Sequence, residues 1–375
     1  MILPGATLGV LGGGQLGRMF AWRARVLGYR VAVLDPDPTS PAGQVADCHL
    51  AEAYDDPAAL DRLASTCAAV TTEFENVPAA SLERLAASVP VRPAPGAVAV
   101  AQDRIREKTF VAEHGLSTAA FRAVPDAAAL EAALDAIALP ALLKTSRLGY
   151  DGKGQATVER REDAASAFAG LGGVPCVLER RLALEMEISV VLARGGDGAV
   201  AAFPVGENRH RDGILETTVV PARISERLAG EAVALAVSVA EALDYIGVLA
   251  VELFVAEGGQ LFVNELAPRP HNSGHWTLDA CSTDQFEQQV RALCGLPLAE
   301  PRLLSPVAMV NLLGDLWRNG TPHWEEAFRR PGVRLHLYGK REPRAGRKMG
   351  HLNCLAVDPD RALALALQAR DALAT

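Results

Sequence analysis

Two glutamates in adjoining apolar segments are the clearest candidates for a chemical role in this sequence. Both segments read as β-strands, and the glycine-containing turn 256–259 joins them, which is typical of a β-hairpin. Counting outward from that turn pairs Glu252 with Val263 and Ala250 with Glu265. Because side chains alternate along a strand, the two carboxylates share one face as diagonal neighbours, about 7–8 Å apart.

Carboxylates this close among apolar neighbours favour a bound cation. Without one they repel each other, and the pKa of one carboxyl group would rise. Oxygen ligands with no His or Cys nearby suit Mg²⁺, which commonly bridges to substrate phosphates. We therefore predict that Glu252 and Glu265 hold Mg²⁺. Two acids on a solvated face, or a general-base dyad, are the alternatives.

The stretch N-E-L-A-P-R-P-H-N-S-G-H-W (264–276) continues directly from the second strand. It is too stiff for a linker and too polar for a core. Prolines stand on both sides of Arg269 and restrict the backbone there, so its guanidinium can be aimed. The stretch therefore predicts a site that holds a polar ligand.

A strand-end lysine precedes a glycine-rich loop in K-T-S-R-L-G-Y-D-G-K-G-Q. Lys144 closes the apolar run, and the loop 149–155 carries three glycines together with Lys153. Such a loop can fold over phosphates and offer backbone N–H donors, while the lysines supply charge. It lacks the P-loop pattern. A phosphate-binding lid is favoured over a mobile hairpin.

A second glycine cluster lies near the N-terminus, where Gly12, Gly14 and Gly17 match G-x-G-x-x-G. The cluster follows a strand and opens a helix, and Asp35 ends the next strand, which is the context of a dinucleotide-binding fingerprint. Backbone N–H groups and a helix N-terminus would face a pocket there. NAD, another nucleotide or phosphorylated sugar, and tight packing without a ligand all fit this region alone.

Composition excludes several classes of protein. The chain of 375 residues is 49% hydrophobic with a formal net charge of −8, which argues against a general nucleic-acid or membrane-surface binder. It has no apolar run long enough to span a bilayer and no leader pattern. The six scattered cysteines indicate reduced thiols in a cytoplasmic protein.

The order of elements predicts three domains of mixed α/β and α+β class. Alternating strands and helices over residues 1–102 predict a parallel sheet covered by helices. A helix capped by Asp103 opens an α+β region that we place at 103–300. A smaller region, 301–375, contains the densest basic run, 340–348, and ends in a helix.

The order of Lys144, the glycine-rich loop, Glu179 at a strand end and the Glu252/Glu265 hairpin resembles the ATP-grasp superfamily. Longer motifs resemble the 5-(carboxyamino)imidazole ribonucleotide synthetases over essentially the whole chain. These motifs are G-G-G-Q-L-G-R-M, T-E-F-E-N-V, G-Y-D-G-K-G-Q, H-R-D-G-I-L, N-E-L-A-P-R-P-H-N-S-G-H-W-T and G-R-K-M-G-H-L-N. The resemblance implies a Rossmann-like N-terminal domain, a central ATP-grasp domain and a small C-terminal domain.

The resemblance also implies where ATP binds, with Glu187 on the ribose. The implied ATP-binding residues are Arg104, Lys144, Gly149, Tyr150, Asp151, Gly152, Lys153, Gly154, Gln155, Glu179, Arg180, Arg181, Leu182, Glu187, His210, Asn264 and Glu265.

In this family the first glycine cluster serves the ribonucleotide substrate rather than NAD. The implied substrate-binding residues are Gln15, Leu16, Glu75 and Asn272, with Lys340, Arg347 and Lys348 on the phosphate. Arg269 and His271 would hold bicarbonate and the carboxyphosphate made from it, with Asn208 helping from across the site. Together with Lys144 these form the expected catalytic set.

The implied reaction is ATP- and bicarbonate-dependent carboxylation of the amine of 5-aminoimidazole ribonucleotide, in purine biosynthesis. A homodimer is expected. A formate-dependent glycinamide ribonucleotide transformylase is the nearest alternative, although it usually has Glu in place of Gln15 and Asp in place of Asn272. An NAD-dependent dehydrogenase built on Gly12–Gly17 and Asp35, or a non-catalytic nucleotide-binding protein, is more distant.

Overall fold

The N-terminal elements form a parallel four-stranded sheet in the order β3-β2-β1-β4, as the alternating pattern predicts. The computed structural model describes residues 1–149 and 152–374. The elements are β1 (Thr7–Leu11), α1 (Gln15–Val26), β2 (Arg30–Leu34), β3 (Cys48–Leu50), α2 (Pro57–Thr66), β4 (Ala69–Thr72), α3 (Ala79–Ala86) and α4 (Pro95–Ala101). Because parallel strands end at one edge, the glycine loop after β1 lies beside the loop after β4.

A smaller antiparallel sheet follows, in the order β5-β8-β6-β7. Asp103 caps the first helix of this unit, since its carboxylate accepts from the N–H groups of Ile105 and Arg106. Lys144 lies near the end of the central strand β6. The elements are α5 (Arg104–Glu113), β5 (Phe121–Val124), α6 (Ala127–Ala136), β6 (Ala141–Thr145), β7 (Gln155–Val158), α7 (Ala164–Gly170) and β8 (Cys176–Arg180).

A large sheet runs through the rest of the chain in the order β14-β13-β9-β11-β12-β15-β17-β16, with β10 beside β9. Strand β12 pairs with β15, so the sheet continues across residue 301. The domain bounds 1–102, 103–300 and 301–375 stay a prediction. The elements are β9 (Leu184–Arg194), β10 (Val200–Ala202), β11 (Gly206–Arg211), β12 (Ile214–Val220), α8 (Glu226–Ala242), β13 (Gly247–Ala256), β14 (Gln260–Ala267), α9 (Thr277–Ala280), α10 (Gln285–Cys294), β15 (Val307–Leu313), α11 (Trp324–Phe328), β16 (Val333–Leu337), β17 (Lys348–Leu355) and α12 (Pro359–Ala372).

The predicted register of the β13–β14 hairpin is wrong. Glu252 lies directly opposite Glu265 rather than opposite Val263, a shift of two residues. The strands pair one residue closer to the turn than predicted, with Ala256 opposite Gln260, and one extra residue, Asn264, bulges out of β14. Strand β14 is an edge of the sheet, and α5 covers it: Lys108 donates to the Asn264 carbonyl (3.3 Å), and the Leu266 N–H donates to Glu107 (2.6 Å). The bulge therefore brings the two carboxylates closer than the diagonal spacing predicted.

Helix α10 joins the N-terminal sheet to the large sheet. Its Phe286, Val290 and Leu293 pack into the same core as residues of α1 and β1. Buried Gln289 bonds to both sheets: its amide oxygen accepts from the Val248 N–H (2.6 Å), and its amide nitrogen donates to the Thr71 hydroxyl (2.9 Å).

All six cysteines are free thiols, and none of the helices in the described residues could cross a membrane.

Replacing Gln289 tests this junction. Gln289→Ala leaves the buried Val248 N–H without its acceptor, which costs about 1–3 kcal/mol, so the midpoint of thermal unfolding should fall by several degrees. Differential scanning calorimetry measures the change. Gln368→Ala, on the exposed side of α12, is the matched control. Equal midpoints for the two variants would contradict the proposed junction.

Candidate active site

A buried carboxylate between two lysines forms one end of the site. Lys144 Nζ lies 3.0 Å and Lys108 Nζ 3.3 Å from Glu179 Oε2. Burial alone would raise the pKa of Glu179, but the two ammonium groups outweigh it and the pKa is lowered. The lysines exceed the local negative charge, so this end of the site suits an anionic ligand.

The opposed glutamates on β13 and β14 form the next part of the site. Burial and the neighbouring Glu265 raise the pKa of Glu252 to about 7, so the two carboxylates lack sufficient counter-charge. Arg104 Nη1 lies 3.1 Å from Glu265, and Arg104 Nη2 donates to the Gly149 carbonyl at 3.1 Å. This donor set fits a hard divalent cation. Among the described residues no group of three or more His, Cys, Asp or Glu could hold a metal, so further oxygen ligands would have to come from phosphate.

A small cavity of about 30 Å³ separates the glutamate pair from a second set of charged groups. Arg269 forms an ion pair with Glu75, and His271 Nε2 lies 3.6 Å from Glu252 Oε1. Burial, Arg269 and Lys348 together hold the pKa of His271 well below its usual value, so the ring is neutral. The cavity lining consists of Glu75, Ala101, Glu252, Glu265, Leu266, Ala267, Arg269 and His271.

The glycine loop after β1 is occupied by carboxylates of the chain itself. The Gly13 N–H donates to Asp35 (2.6 Å), and the N–H groups of Gly14 and Gly17 donate to Glu73 (2.8 and 3.0 Å). Burial raises the pKa of Glu73 to about 7, despite these two hydrogen bonds. Because these N–H donors are already satisfied and Asp35 is buried, the loop does not present a pyrophosphate site. The dinucleotide interpretation therefore has no support here.

Basic residues from the C-terminal segment act electrostatically on the groups that line the cavity. Lys348 is the first residue of β17. Its positive charge acts to lower the pKa of both Glu75 and Glu252, but burial and other charged groups have larger effects on each carboxyl group. Lys340 Nζ donates to the Lys348 carbonyl (2.8 Å) and lies above the Tyr338 ring. The C-terminal segment thus adds positive charge near the cavity.

Comparison with known families decides the identity of this arrangement. Residues 5–102 match the ribonucleotide synthetase preATP-grasp domain, 109–286 the ATP-grasp domain and 307–365 the phosphoribosylaminoimidazole carboxylase C-terminal domain. The chain is 46% identical to the N5-carboxyaminoimidazole ribonucleotide synthase of Brucella melitensis, over 93% of this chain and 96% of that protein. It is 43% identical to the synthase of Bacillus subtilis, over 96% and 94%. The chain belongs to the N5-carboxyaminoimidazole ribonucleotide synthase family.

Solved structures agree with this assignment. An N5-carboxyaminoimidazole ribonucleotide synthetase in complex with ADP superposes with a TM-score of 0.92 at 43% identity, over 100% of this chain and 99% of that one. The Aspergillus clavatus synthase in complex with ADP and 5-aminoimidazole ribonucleotide gives 0.90 at 31% identity, over 98% of both chains. The predicted ATP-grasp fold, with its preATP-grasp and C-terminal domains, is therefore confirmed for this synthase-family chain.

Most of the expected site residues lie near one another in this member of the synthase family. His210 is ion-paired with Glu187, and Asn208, the Cα partner of Glu187 on the next strand, accepts from the Thr218 hydroxyl at 2.9 Å. Gln15 and Leu16 begin α1 at the glycine loop. The structure describes Gly149, Gly152, Lys153, Gly154 and Gln155, whereas the expected residues Tyr150 and Asp151 lie outside the described residues.

Three groups of expected residues are engaged elsewhere in this structure. Arg181 pairs with Glu159 (3.1 Å) at the surface, and the neighbouring Arg180 is exposed. The Asn272 amide exchanges two hydrogen bonds with Asn311 (3.0 and 2.7 Å). Arg347 donates to the Glu342 carbonyl (3.0 Å). The ligand contacts expected of these residues stay predictions.

Two residues on α5, Glu107 and Lys108, belong to the site but were missed from the sequence. Lys108 lies one helical turn after Arg104, so both project toward β14, and that spacing was the available signal. Glu107 is buried, and its Oε2 has no hydrogen-bond partner among the described residues. Burial and Glu265 raise its pKa to about 8.

Glu107 should make the stability of the protein depend on pH. Its pKa rises from an ordinary 4.5 to about 8 on folding, so between those values the folded state keeps a proton that the unfolded chain releases. Stability due to this group is therefore lost as the pH rises through that window. Glu107→Gln should reduce the drop in thermal midpoint between about pH 5 and pH 8, measured by calorimetry.

The matched control is Glu113→Gln, at the exposed end of the same helix. It should leave the pH profile of the parent protein unchanged. A Glu107→Gln profile as steep as that of the control would show that Glu107 is ionised at neutral pH.

Proposed function

We propose that the protein catalyses the ATP-dependent carboxylation of the amine of 5-aminoimidazole ribonucleotide, giving N5-carboxyaminoimidazole ribonucleotide in purine biosynthesis. The observation that carries this function is the cavity in which the Glu252/Glu265 pair meets Arg269 and His271. It adjoins a lysine-rich end that suits ATP and a second basic end that suits a ribonucleotide. The solved relative with ADP and 5-aminoimidazole ribonucleotide supports the same pair of ligands.

ATP binds between Lys144, the loop 149–155 and the segment 179–182. Lys144 and the loop contact the phosphates, where the lysine charge and backbone N–H groups neutralise charge on the transferring phosphoryl group. The segment 179–182 and Glu187 hold the base and ribose. Arg104 is positioned to couple these parts, since it already connects Glu265 to the loop at Gly149.

Glu252 and Glu265 are the residues that would hold Mg²⁺. When bound, Mg²⁺ offsets the charge of the ATP phosphates. The direct opposition of the carboxylates and the raised pKa of Glu252 support this role, because both indicate a missing positive charge.

Bicarbonate and carboxyphosphate occupy the small cavity. A bicarbonate oxygen forms a bond to the γ-phosphorus of ATP as the bond to ADP breaks, giving carboxyphosphate. The carbon–oxygen bond to phosphate then breaks, releasing CO₂, and the substrate amine forms the new nitrogen–carbon bond. The departing phosphate accepts the amine proton. Arg269, His271 and Asn208 orient the anion. Carboxyphosphate hydrolyses readily, so closure of the site around the ligands must exclude water.

The ribonucleotide lies across the cavity from ATP. Gln15, Leu16, Glu75 and Asn272 contact its base and sugar, and its phosphate is bound by Lys340, Arg347 and Lys348. The acidic chain concentrates positive charge at this segment, which supports the assignment. A homodimer and a cytoplasmic location stay predictions.

Substrate dependence of ADP release tests the function. The purified protein should release ADP from MgATP only when bicarbonate and 5-aminoimidazole ribonucleotide are both supplied, as measured by a coupled ADP assay. Leaving out either one is the control. ADP release that depends on formate and glycinamide ribonucleotide instead would assign the protein to the transformylase reaction.

Lys348→Ala should chiefly weaken binding of the ribonucleotide. Losing one charged hydrogen bond to phosphate costs about 1.5–3 kcal/mol, so KM for the ribonucleotide should rise about tenfold to a hundredfold. KM for ATP should change little. Arg344→Ala, in the same segment but exposed and paired with Glu342 (3.0 Å), is the matched control in steady-state kinetics. An unchanged ribonucleotide KM would move the phosphate site elsewhere.

A further inference from the structure

Three side chains form a buried hydrogen-bonded chain behind the cavity. The Ser189 hydroxyl on β9 donates to Ser273 Oγ at 2.9 Å, and Ser273 Oγ lies 2.9 Å from His271 Nδ1. The Ser273 backbone N–H also donates to His271 Nδ1, at 3.3 Å. Both serines are almost completely buried, so water does not compete for these bonds.

The donors in this chain determine the tautomer of His271. A backbone N–H can only donate, so the nitrogen that receives it, Nδ1, carries a lone pair and no proton. Ser273 Oγ accepts from Ser189, which leaves its own hydroxyl proton to be donated to Nδ1. A neutral imidazole with an unprotonated Nδ1 carries its proton on Nε2.

The Nε2–H of His271 is directed into the cavity. Nε2 lies 3.6 Å from Glu252 Oε1, beyond hydrogen-bonding distance, in the cavity that Arg269 also lines. The backbone of His271 is fixed as well. Buried Gln285 accepts from the His271 N–H (2.8 Å) and donates to the His271 carbonyl (2.8 Å). The direction of the Nε2–H bond is therefore set before any ligand enters.

We propose that Ser273, oriented by Ser189, is a positioning residue that holds His271 as an Nε2–H donor to an anionic oxygen in the cavity. His271 is then not the base that takes the proton of the substrate amine. As a base it would need a lone pair on Nε2 while Nδ1 accepts from Ser273, which would make the ring an anion. The identity of the anion, bicarbonate or carboxyphosphate, rests on the proposed function, whereas the tautomer does not.

Nitrogen NMR of histidine tests the tautomer without any substrate. In protein labelled with ¹⁵N-histidine, the two ring nitrogens of a neutral imidazole have widely separated shifts, which identify the protonated nitrogen. The His271→Gln variant assigns the signals of His271 by their loss. The Nε2–H form is expected in the parent protein. Ser273→Ala should keep this tautomer, because the backbone N–H at position 273 still donates to Nδ1, but the Nδ1 signal should shift because it loses the hydroxyl hydrogen bond. A parent ring protonated at Nδ1, or at both nitrogens, would overturn the proposal.

Kinetics test whether this positioning matters for the reaction. Ser273→Ala should lower kcat about tenfold while KM for ATP and for the ribonucleotide changes less than about twofold, as loss of one orienting hydrogen bond predicts. Ser189→Ala should lower kcat by a smaller factor, and Ser273→Thr, which keeps the hydroxyl, should recover most of the activity. Ser81→Ala, which removes another buried serine hydroxyl from α3, is the matched control.

The outcomes separate the two proposals. If ADP release does not depend on bicarbonate and the ribonucleotide, the proposed function fails, and the NMR result still decides the tautomer. If Ser273→Ala misfolds, Ser189→Ala carries the test, because it disturbs only the outer hydrogen bond. A kcat for Ser189→Ala equal to that of Ser81→Ala, or an unshifted Nδ1 signal in Ser273→Ala, would refute the positioning role.

Discussion

The free-energy cost of burying several ionised carboxylates close together is the main constraint on the active site of this protein. Glu73, Glu107, Glu179 and Glu252 all lie around the site, and burial tends to raise the pKa of each. Glu179, beside two lysines, has enough positive charge to reverse the effect, as does Glu75 beside Arg269. The others retain a deficit of positive charge. A site with such a deficit binds cations and the polyanions that accompany them, and the chain brings Arg104, Arg269 and Lys348 to the same place.

Local patterns in the sequence predicted much of this architecture. The cap at Asp103, the strand before Lys144 and the parallel N-terminal sheet all follow from short-range signals and are confirmed. Resemblance to the synthetases predicted the family, which the comparisons confirm. Such signals succeed because capping and strand alternation depend on residues only a few positions apart.

The structural features that were not predicted from the sequence depend on contacts between residues far apart in the chain. The register of the β13–β14 hairpin depends on the bulge at Asn264, whose carbonyl bonds to Lys108, 156 residues away. The glycine loop matches a dinucleotide fingerprint, but its donors are bound by Asp35 and by Glu73, which is 59 residues from Gly14. Nor does any local pattern show that Ser189 reaches Ser273 across the sheet. In each case the partner becomes visible only after the chain has folded.

The pairing of β12 with β15 has a consequence for how the chain can be divided. A fragment ending before β15 would leave β12, a largely buried strand, with a row of unpaired N–H and C=O groups, and such edges recruit strands from other molecules. The C-terminal segment therefore covers this edge of the ATP-grasp sheet, and it also carries Lys340 and Lys348, which we propose to bind the substrate phosphate. Removing the segment would expose the edge and remove the proposed phosphate site together.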